Sequence, residues 1–251
     1  MIIKMDMIPC SRYNLRKTTL VQRKMHECGL KIISLNIRGL RSNIGELTQL
    51  CCSKKPDIVV VVETFLDSSV SERDECIWIP GYNIACRKDR NANGGGILIY
   101  SLEGLVIHHI GSNVPSHLEV IWFTTTFNHE NILFAAIYRP PNSGDEIIYY
   151  LYSTATKIID ELGAKSLCLL GDFNAHHTNW LGSHNTDVTG ELLLELCNFL
   201  KLSQIVHEPT RCDQILDLFL TDLPAKCSIL PNCGTSDHNP VVIVIHKKRK
   251  P

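Results

Sequence analysis

Ser166-Leu167-Cys168-Leu169-Leu170-Gly171-Asp172-Phe173-Asn174-Ala175-His176-His177 divides into two unlike halves. The first half is an apolar run of strand length. The second turns polar at Asp172. A buried strand followed at once by polar groups delivers Asp172 and Asn174 to a surface just past the strand end, where layered α/β folds often carry their ligand and catalytic groups. Asp172 supplies an acceptor or base, and Asn174 an amide with both donors and acceptor. An Asp/Asn turn that merely closes a strand has the same composition. The rest of the chain decides between these readings, by whether other strands end the same way.

They do. Moving towards the N-terminus, Asn131 to Tyr138 reads as a strand ending in Tyr138-Arg139-Pro140-Pro141, paired through Asn128-His129-Glu130 with a strand over His117 to Phe127. The continuous apolar run Asp57 to Val62 reads as a strand buried on both faces, and Glu63 follows it directly. The first strand, Lys31 to Ile37, carries Asn36 near its end. Asn43 with Glu46 suggests a capping box for a helix running to about Lys55. Gly94-Gly95-Gly96 lacks the Gly-Lys-Ser/Thr of a phosphate loop, so it is read as close backbone packing before a strand over Ile97 to Tyr100.

Towards the C-terminus, helical spacing over Asp145 to Leu162 and around Leu192 to Leu200 alternates with strands at Ile215 to Thr221 and Val241 to Ile245. Asp217 lies inside an apolar strand, which is costly unless the carboxylate is paired. His238, in Ser236-Asp237-His238-Asn239-Pro240, is its candidate partner. Helices separating pairs of strands predict an α/β fold with two packed, mostly antiparallel sheets and helices outside.

The chain has 251 residues, 44% of them hydrophobic, enough for one large layered domain. No apolar run approaches the ~18 residues that span a bilayer, so no membrane partner is expected. Eleven cysteines form an odd set with Cys51 and Cys52 adjacent and no C-x-x-C spacing. That argues for a reducing, intracellular setting, nuclear or cytoplasmic, without a disulfide framework or zinc site. The net charge of −1 conceals an asymmetry. Residues 1–29, expected to be an irregular extension, carry six basic and two acidic residues, and the tail 247–251 carries four basic ones. The body, 30–246, has 15 basic and 24 acidic residues. Such a body does not hold nucleic acid by bulk charge, but it can concentrate carboxylates around a cation.

Asn36, Glu63, Tyr138, Asp172, Asn174, Asp237 and His238 thus recur at strand ends, with Asp217 beside them. Oxygen-rich groups with a single histidine suit a hard ion such as magnesium better than zinc. Such an ion on phosphate oxygens, beside a carboxylate able to activate water, makes a phosphodiester-hydrolysing site.

These motifs, Asn36-Ile37-Arg38-Gly39-Leu40, Glu63-Thr64-Phe65-Leu66, Tyr138-Arg139-Pro140-Pro141, Gly171-Asp172-Phe173-Asn174, Leu216-Asp217-Leu218-Phe219-Leu220 and Ser236-Asp237-His238, resemble in order those of the endonuclease/exonuclease/phosphatase superfamily, the fold of deoxyribonuclease I and the apurinic/apyrimidinic endonucleases. Tyr138-Arg139-Pro140-Pro141 and Glu208-Pro209-Thr210-Arg211 narrow the resemblance to the endonuclease domains of non-LTR retrotransposons of the jockey and chicken-repeat kind. Arg38 stands where repair endonucleases often carry Asp, as it does in the retrotransposon group. The resemblance implies a four-layered α/β sandwich over 30–246. It implies a magnesium-dependent DNA endonuclease, with manganese as a substitute ion, that nicks double-stranded DNA and leaves a 3′-hydroxyl to prime reverse transcription. A reverse transcriptase normally fused to such domains is absent from this chain. A phosphatase of the same fold and a domesticated, inactive binding module are the alternatives.

The resemblance also implies roles. Glu63 is the main metal carboxylate, with Asn36 and Asp237 supporting it directly or through water. Asp172 orients or deprotonates the attacking water, and Asn174 holds that water or a phosphate oxygen. His238, steered by Asp217, stabilises charge on the phosphate. Tyr138 donates to the phosphate or the leaving oxygen. Whether Asp172 or His238 takes the proton stays open, as does the choice between phosphate contact and structural ion pair for Arg139 and Arg211. His176 and His177 are read as solvated loop residues and Trp180 as packing.

Overall fold

The computed structural model describes residues 29–111 and 113–246. The expected tail at 247–251, and all of the expected N-terminal extension except Gly29, lie outside the described residues. Two six-stranded sheets face each other. The first is built from β1 (Leu30–Asn36), β2 (Ile58–Val62), β3 (Tyr82–Lys88), β4 (Ile97–Leu102), β11 (Ala225–Ile229) and β12 (Val241–Ile245), in the order β11-β12-β1-β2-β4-β3. The second contains β5 (Ile107–Ile110), β6 (Glu119–Phe127), β7 (Glu130–Tyr138), β8 (Ser166–Asp172), β9 (Ser203–Gln204) and β10 (Asp217–Thr221), in the order β5-β6-β7-β8-β10-β9. β1 with β2, and β7 with β8, are parallel; the other pairs are antiparallel.

The expected mixed, mostly antiparallel α/β sandwich is therefore what the chain forms. The unbroken apolar run of β2 has a direct explanation. Ile58, Val60 and Val62 point into the core between the sheets, while Val59 and Val61 pack with Leu40, Leu47 and Cys51 of α1 (Leu40–Lys54). The alternating side chains of a strand covered on both faces are all apolar. The second sheet is covered by α2 (Glu146–Leu162) and α3 (Val188–Leu200), which bury Ile147, Leu151, Ile158, Leu193 and Leu196.

Three expectations about local structure change. The helix expected to be capped at Asn43 has its N-cap four residues earlier, at Gly39, and starts at Leu40, so Asn43 is fully buried within it. Its amide nitrogen donates to the carbonyls of Ile37 and Gly39 at 3.0 Å each, and its oxygen accepts from the Thr235 backbone N–H at 2.8 Å. A long-range bracket between two loops therefore takes the place of a capping box. The second change is at the hairpin, which turns on Asn128 and His129 alone, both at positive φ (51° and 66°), with Phe127 opposite Glu130. That is the two-residue turn whose twist suits antiparallel strands. The third concerns the edge strands β5, β9 and β11, which have no counterpart in the sequence reading. They are short or half-exposed, so they lack a clear apolar signature.

Candidate active site

Strand register brings most of the polar strand ends together. In the first sheet, Asn36 lies opposite Val62 in a parallel pair, so Asn36 and Glu63 emerge side by side. In the second sheet, Tyr138 lies opposite Asp172, and Asp172 opposite Asp217. Three polar residues from three adjacent strands therefore form one lateral row. Side chains in lateral register share a face, and this face is turned towards the first sheet. Gly171 makes the row possible. Its φ is +132°, and a Cβ there would overlap the Ile137 carbonyl oxygen. Only glycine lets β8 lie this close to β7 just before Asp172.

The two sheets are joined across the gap by hydrogen bonds. The Asn36 amide donates to Glu63 Oε1 at 2.9 Å and to Asp172 Oδ2 at 3.0 Å. Tyr138 donates its hydroxyl to the same Glu63 oxygen at 2.7 Å. Glu63 holds φ at +54°, a left-handed conformation unusual outside glycine, which marks a constrained position. His238 Nδ1 lies 2.7 Å from Asp217 Oδ2, and its Nε2 lies 4.0 Å from Asp172 Oδ2. Asp172, Asp217 and His238 are all nearly fully buried. Ser236 ties the first and last motifs: its hydroxyl donates to the Asn36 carbonyl at 2.6 Å and accepts from the His238 backbone N–H at 3.1 Å.

The electrostatics follow from burial and proximity. Desolvation first, and then the neighbouring Asp217, push the Asp172 carboxyl well above the ordinary carboxylate range. Burial alone would lower the His238 imidazole, but the Asp217 charge and hydrogen bond outweigh it and the imidazole is raised. Burial and the bond to Glu63 raise Tyr138, which keeps the phenol protonated as a donor.

Asn174 and Asp237 are placed differently. The Asn174 backbone N–H donates to Asp172 Oδ1 at 3.1 Å, while its side-chain amide donates to the Arg139 carbonyl at 2.8 Å. Asp237 is adjacent to His238 in sequence, but its carboxylate is held by Arg211 at 2.6 Å and Arg38 at 3.2 Å. Burial opposes its ionisation, yet Arg211, His238 and Arg38 outweigh burial and hold the carboxyl below its usual value. Arg139, left open between two roles, is structural. It is 5% exposed, and its guanidinium donates to the carbonyls of Asn174 at 2.9 Å and Ser143 at 2.6 Å. His177, expected to be solvated, is buried; its Nδ1 accepts from the Asn179 N–H at 3.1 Å, and the ring pins the loop. Trp180 is half-buried and packs against the core.

The donor set can be tested against a divalent ion. Glu63 and Asp172 converge on one amide nitrogen, and Asp217 Oδ1 is buried without a hydrogen-bond partner. Asp172, Asp217 and His238 bring ligand atoms within 4.8 Å of one another. His238 Nδ1 is already committed to Asp217, however, so that trio is better described as an oriented imidazole than as a closed metal cage. The concentrated carboxylate oxygens fit a hard cation.

Two packed sheets of this topology form the deoxyribonuclease I-like α/β sandwich. Within that class, residues 132–242 match the family described as endonuclease-reverse transcriptase, a span that includes Tyr138, Asp172, Asn174, Asp217, Asp237 and His238. The fold is similar to that of the endonuclease domain of TRAS1, a telomere-specific non-LTR retrotransposon, with a TM-score of 0.69, 18% identity, and coverage of 87% of this chain and 98% of that one. It is also similar to the apurinic/apyrimidinic endonuclease of Leishmania major (TM-score 0.68, 14% identity, 88% and 89% covered). A third similar structure is an apurinic/apyrimidinic endonuclease from Archaeoglobus fulgidus (TM-score 0.62, 16% identity, 86% and 99% covered). No curated protein matches the chain. The endonuclease-reverse transcriptase match and the similarity in fold to a non-LTR retrotransposon endonuclease domain agree with the resemblance drawn from the motifs.

Two supporting residues were given no role in the sequence reading, although Thr210 lies within the quoted Glu208-Pro209-Thr210-Arg211 stretch. Thr210 is fully buried, and its hydroxyl accepts from the backbone N–H groups of both Leu216 and Asp217 at 3.0 Å, fixing the start of β10. Glu119, at the start of β6, is buried beside Arg90.

Proposed function

We propose that this chain is a magnesium-dependent DNA endonuclease that hydrolyses one phosphodiester bond of double-stranded DNA and leaves a 3′-hydroxyl. Such a nick would prime reverse transcription within a non-LTR retrotransposon. The observation that carries the reading is the lateral row Tyr138–Asp172–Asp217 facing Asn36 and Glu63, with His238 bonded to Asp217. Glu63 and Asn36 would hold the ion, with Asp237 supporting it directly or through water; manganese could replace magnesium. When bound, a hard divalent ion neutralises charge on phosphate oxygens.

The chain's own residues supply the remainder. Asp172 is buried between Asn36 and His238 and accepts a hydrogen bond from the Asn174 N–H, so it is suited to orient or deprotonate a water. Asn174 would hold that water or a phosphate oxygen. His238, whose protonated form the Asp217 charge and hydrogen bond favour, would donate to the phosphate as charge develops, a charge-assisted bond stronger than a neutral one. Tyr138, kept neutral, would donate to the phosphate or the leaving oxygen. Residues 30–246 form the catalytic domain in this reading. The nine free cysteines among the described residues suit a reducing nuclear or cytoplasmic setting. No helix of the described residues is long and apolar enough to cross a membrane.

The test is incubation of supercoiled plasmid with the chain and magnesium. Expected is an open circle whose nick a polymerase extends without end repair, and no nicking with chelator present. Extension only after end repair would overturn the 3′-hydroxyl product. Release of inorganic phosphate from a 3′-phosphorylated or lipid substrate, without nicking, would instead support a phosphatase. Binding without hydrolysis would support an inactive module.

A further inference from the structure

The triglycine Gly94-Gly95-Gly96 surrounds a second charged assembly next to Tyr138. Arg90 donates from Nε to the Gly94 carbonyl at 3.0 Å and from one terminal nitrogen to Glu119 Oε1 at 3.0 Å. Glu119 is only 5% exposed, and its other carboxylate oxygen accepts from the Gly96 N–H. The Arg90 guanidinium carbon lies 5.7 Å from the centroid of the Tyr138 ring. The glycines leave room for this arrangement. A Cβ on Gly94 would stand 2.6 Å from an Arg90 terminal nitrogen, and one on Gly95 would stand 2.6 Å from Glu119 Oε1 and overlap Arg90 Nε. Gly95 and Gly96 also have positive φ (68° and 91°), which side-chain-bearing residues rarely adopt.

A buried carboxylate is costly unless paired, so Glu119 fixes Arg90 in place rather than leaving it a mobile surface cation. The fixed guanidinium then faces the ring whose hydroxyl donates to Glu63. A cation over an aromatic face is attracted to it, and within about 6 Å the attraction is appreciable. We propose that Arg90, seated by Glu119 and the triglycine, is a positioning residue for Tyr138: it holds the phenol ring at the angle that aims its hydroxyl and strengthens that hydroxyl as a donor to phosphate. The inference rests on the nuclease reading for its consequence in activity, but not for the placement of the ring. Lysine cannot reproduce it, because a single ammonium cannot bond the Gly94 carbonyl and Glu119 in the geometry of the fork.

The test combines kinetics with a direct view of the ring. Arg90→Lys, Tyr138→Phe and the double variant are compared in magnesium-dependent nicking. Arg90→Lys should lower kcat by roughly 3- to 30-fold, the range of one such contact, with KM for DNA little changed. The double variant should be no slower than Tyr138→Phe alone, because Arg90 acts through the hydroxyl that Tyr138→Phe removes. Losses that multiply, or a defect confined to KM, would overturn the proposal in favour of a direct DNA contact. In parallel, protein labelled with 13C at the tyrosine ring carbon bearing oxygen is observed by NMR, with the Tyr138 resonance identified by its absence in Tyr138→Phe. Arg90→Lys should shift that resonance and leave that of exposed Tyr149 in place; an unmoved Tyr138 resonance would overturn the proposal. If Arg90→Lys does not fold, Arg90→Gln combined with Glu119→Gln, which removes both charges, takes its place in both arms with the same outcomes. A wild-type chain that fails to nick DNA would sink the nuclease reading alone, and the resonance would still decide where Arg90 holds the ring.

Discussion

At the scale of single residues, Glu63 and His238 should fail in different ways. In the proposed mechanism His238→Ala removes the donor to charge on the phosphate, and such a donor is typically worth ~10²–10³ in rate. Its defect should persist at any magnesium concentration, because Asp217 and Asp172 remain and the oxygens of Glu63 and Asn36 are untouched. Asp217→Asn should fall between wild type and His238→Ala, since the ring stays in place without the 2.7 Å charged partner that orients it. Glu63→Ala should be partly rescued by raising magnesium, since it removes the proposed main carboxylate of the ion site. Single-turnover nicking across a magnesium titration checks all three; rescue of His238→Ala but not Glu63→Ala would mean the two roles are reversed. Arg139 shows how far residue type alone carries. An arginine beside a strand-end tyrosine invites a phosphate-contact reading, but every hydrogen bond its guanidinium makes among the described residues goes to a backbone carbonyl, with Asp145 as its ion-pair partner at 3.7 Å. That follows from its burial, and burial is not written in a motif.

At the scale of elements, the site depends on how closely neighbouring strands approach. Gly171→Ala should cost about 3 kcal/mol or more, because it combines a φ forbidden to alanine with overlap on the Ile137 carbonyl. The loss should appear as a lower urea midpoint; a midpoint equal to wild type would mean that β7 and β8 can separate without consequence. Thr210→Val should cost about 1–3 kcal/mol, since it strands two buried amide N–H groups at the start of β10. Serine at the same position should restore most of the midpoint, as it keeps the hydroxyl. The buried strands β2, β8 and β10 were legible because a strand covered on both faces is apolar throughout. The start of α1 was misread because Asn43 looks like a cap and instead bonds to segments before and far beyond it.

At the scale of the molecule, the two sheets meet at a concentration of negative charge that is unfavourable unless something offsets it. A divalent ion bound there stabilises the folded state by mass action, by about 2.7 kcal/mol at a hundredfold excess over its Kd. Magnesium should therefore raise Tm of the wild-type chain and raise that of Glu63→Ala by less. Equal shifts in both, measured by calorimetry at constant ionic strength, would place the ion elsewhere. A chain beginning at Gly29 should retain nicking, since β1 starts at Leu30 and every proposed catalytic residue follows it; loss of folding would assign the preceding segment a structural role.

The sequence by itself determined the alternation of buried strands and amphipathic helices, and the polar residue types that end those strands. These properties are local, set by periodicity and by the cost of burying a charge without a partner. Tertiary structure alone decided which of those residues meet. Register placed Tyr138, Asp172 and Asp217 in one row and Asn36 across from them, while Asp237 was drawn to Arg38 and Arg211. The Arg90–Glu119 pair joins a loop to the start of β6, 29 residues on in sequence, and is held by glycines whose only distinguishing property is the side chain they lack. Such contacts depend on distances between segments remote in the chain, and a one-dimensional pattern does not contain those distances.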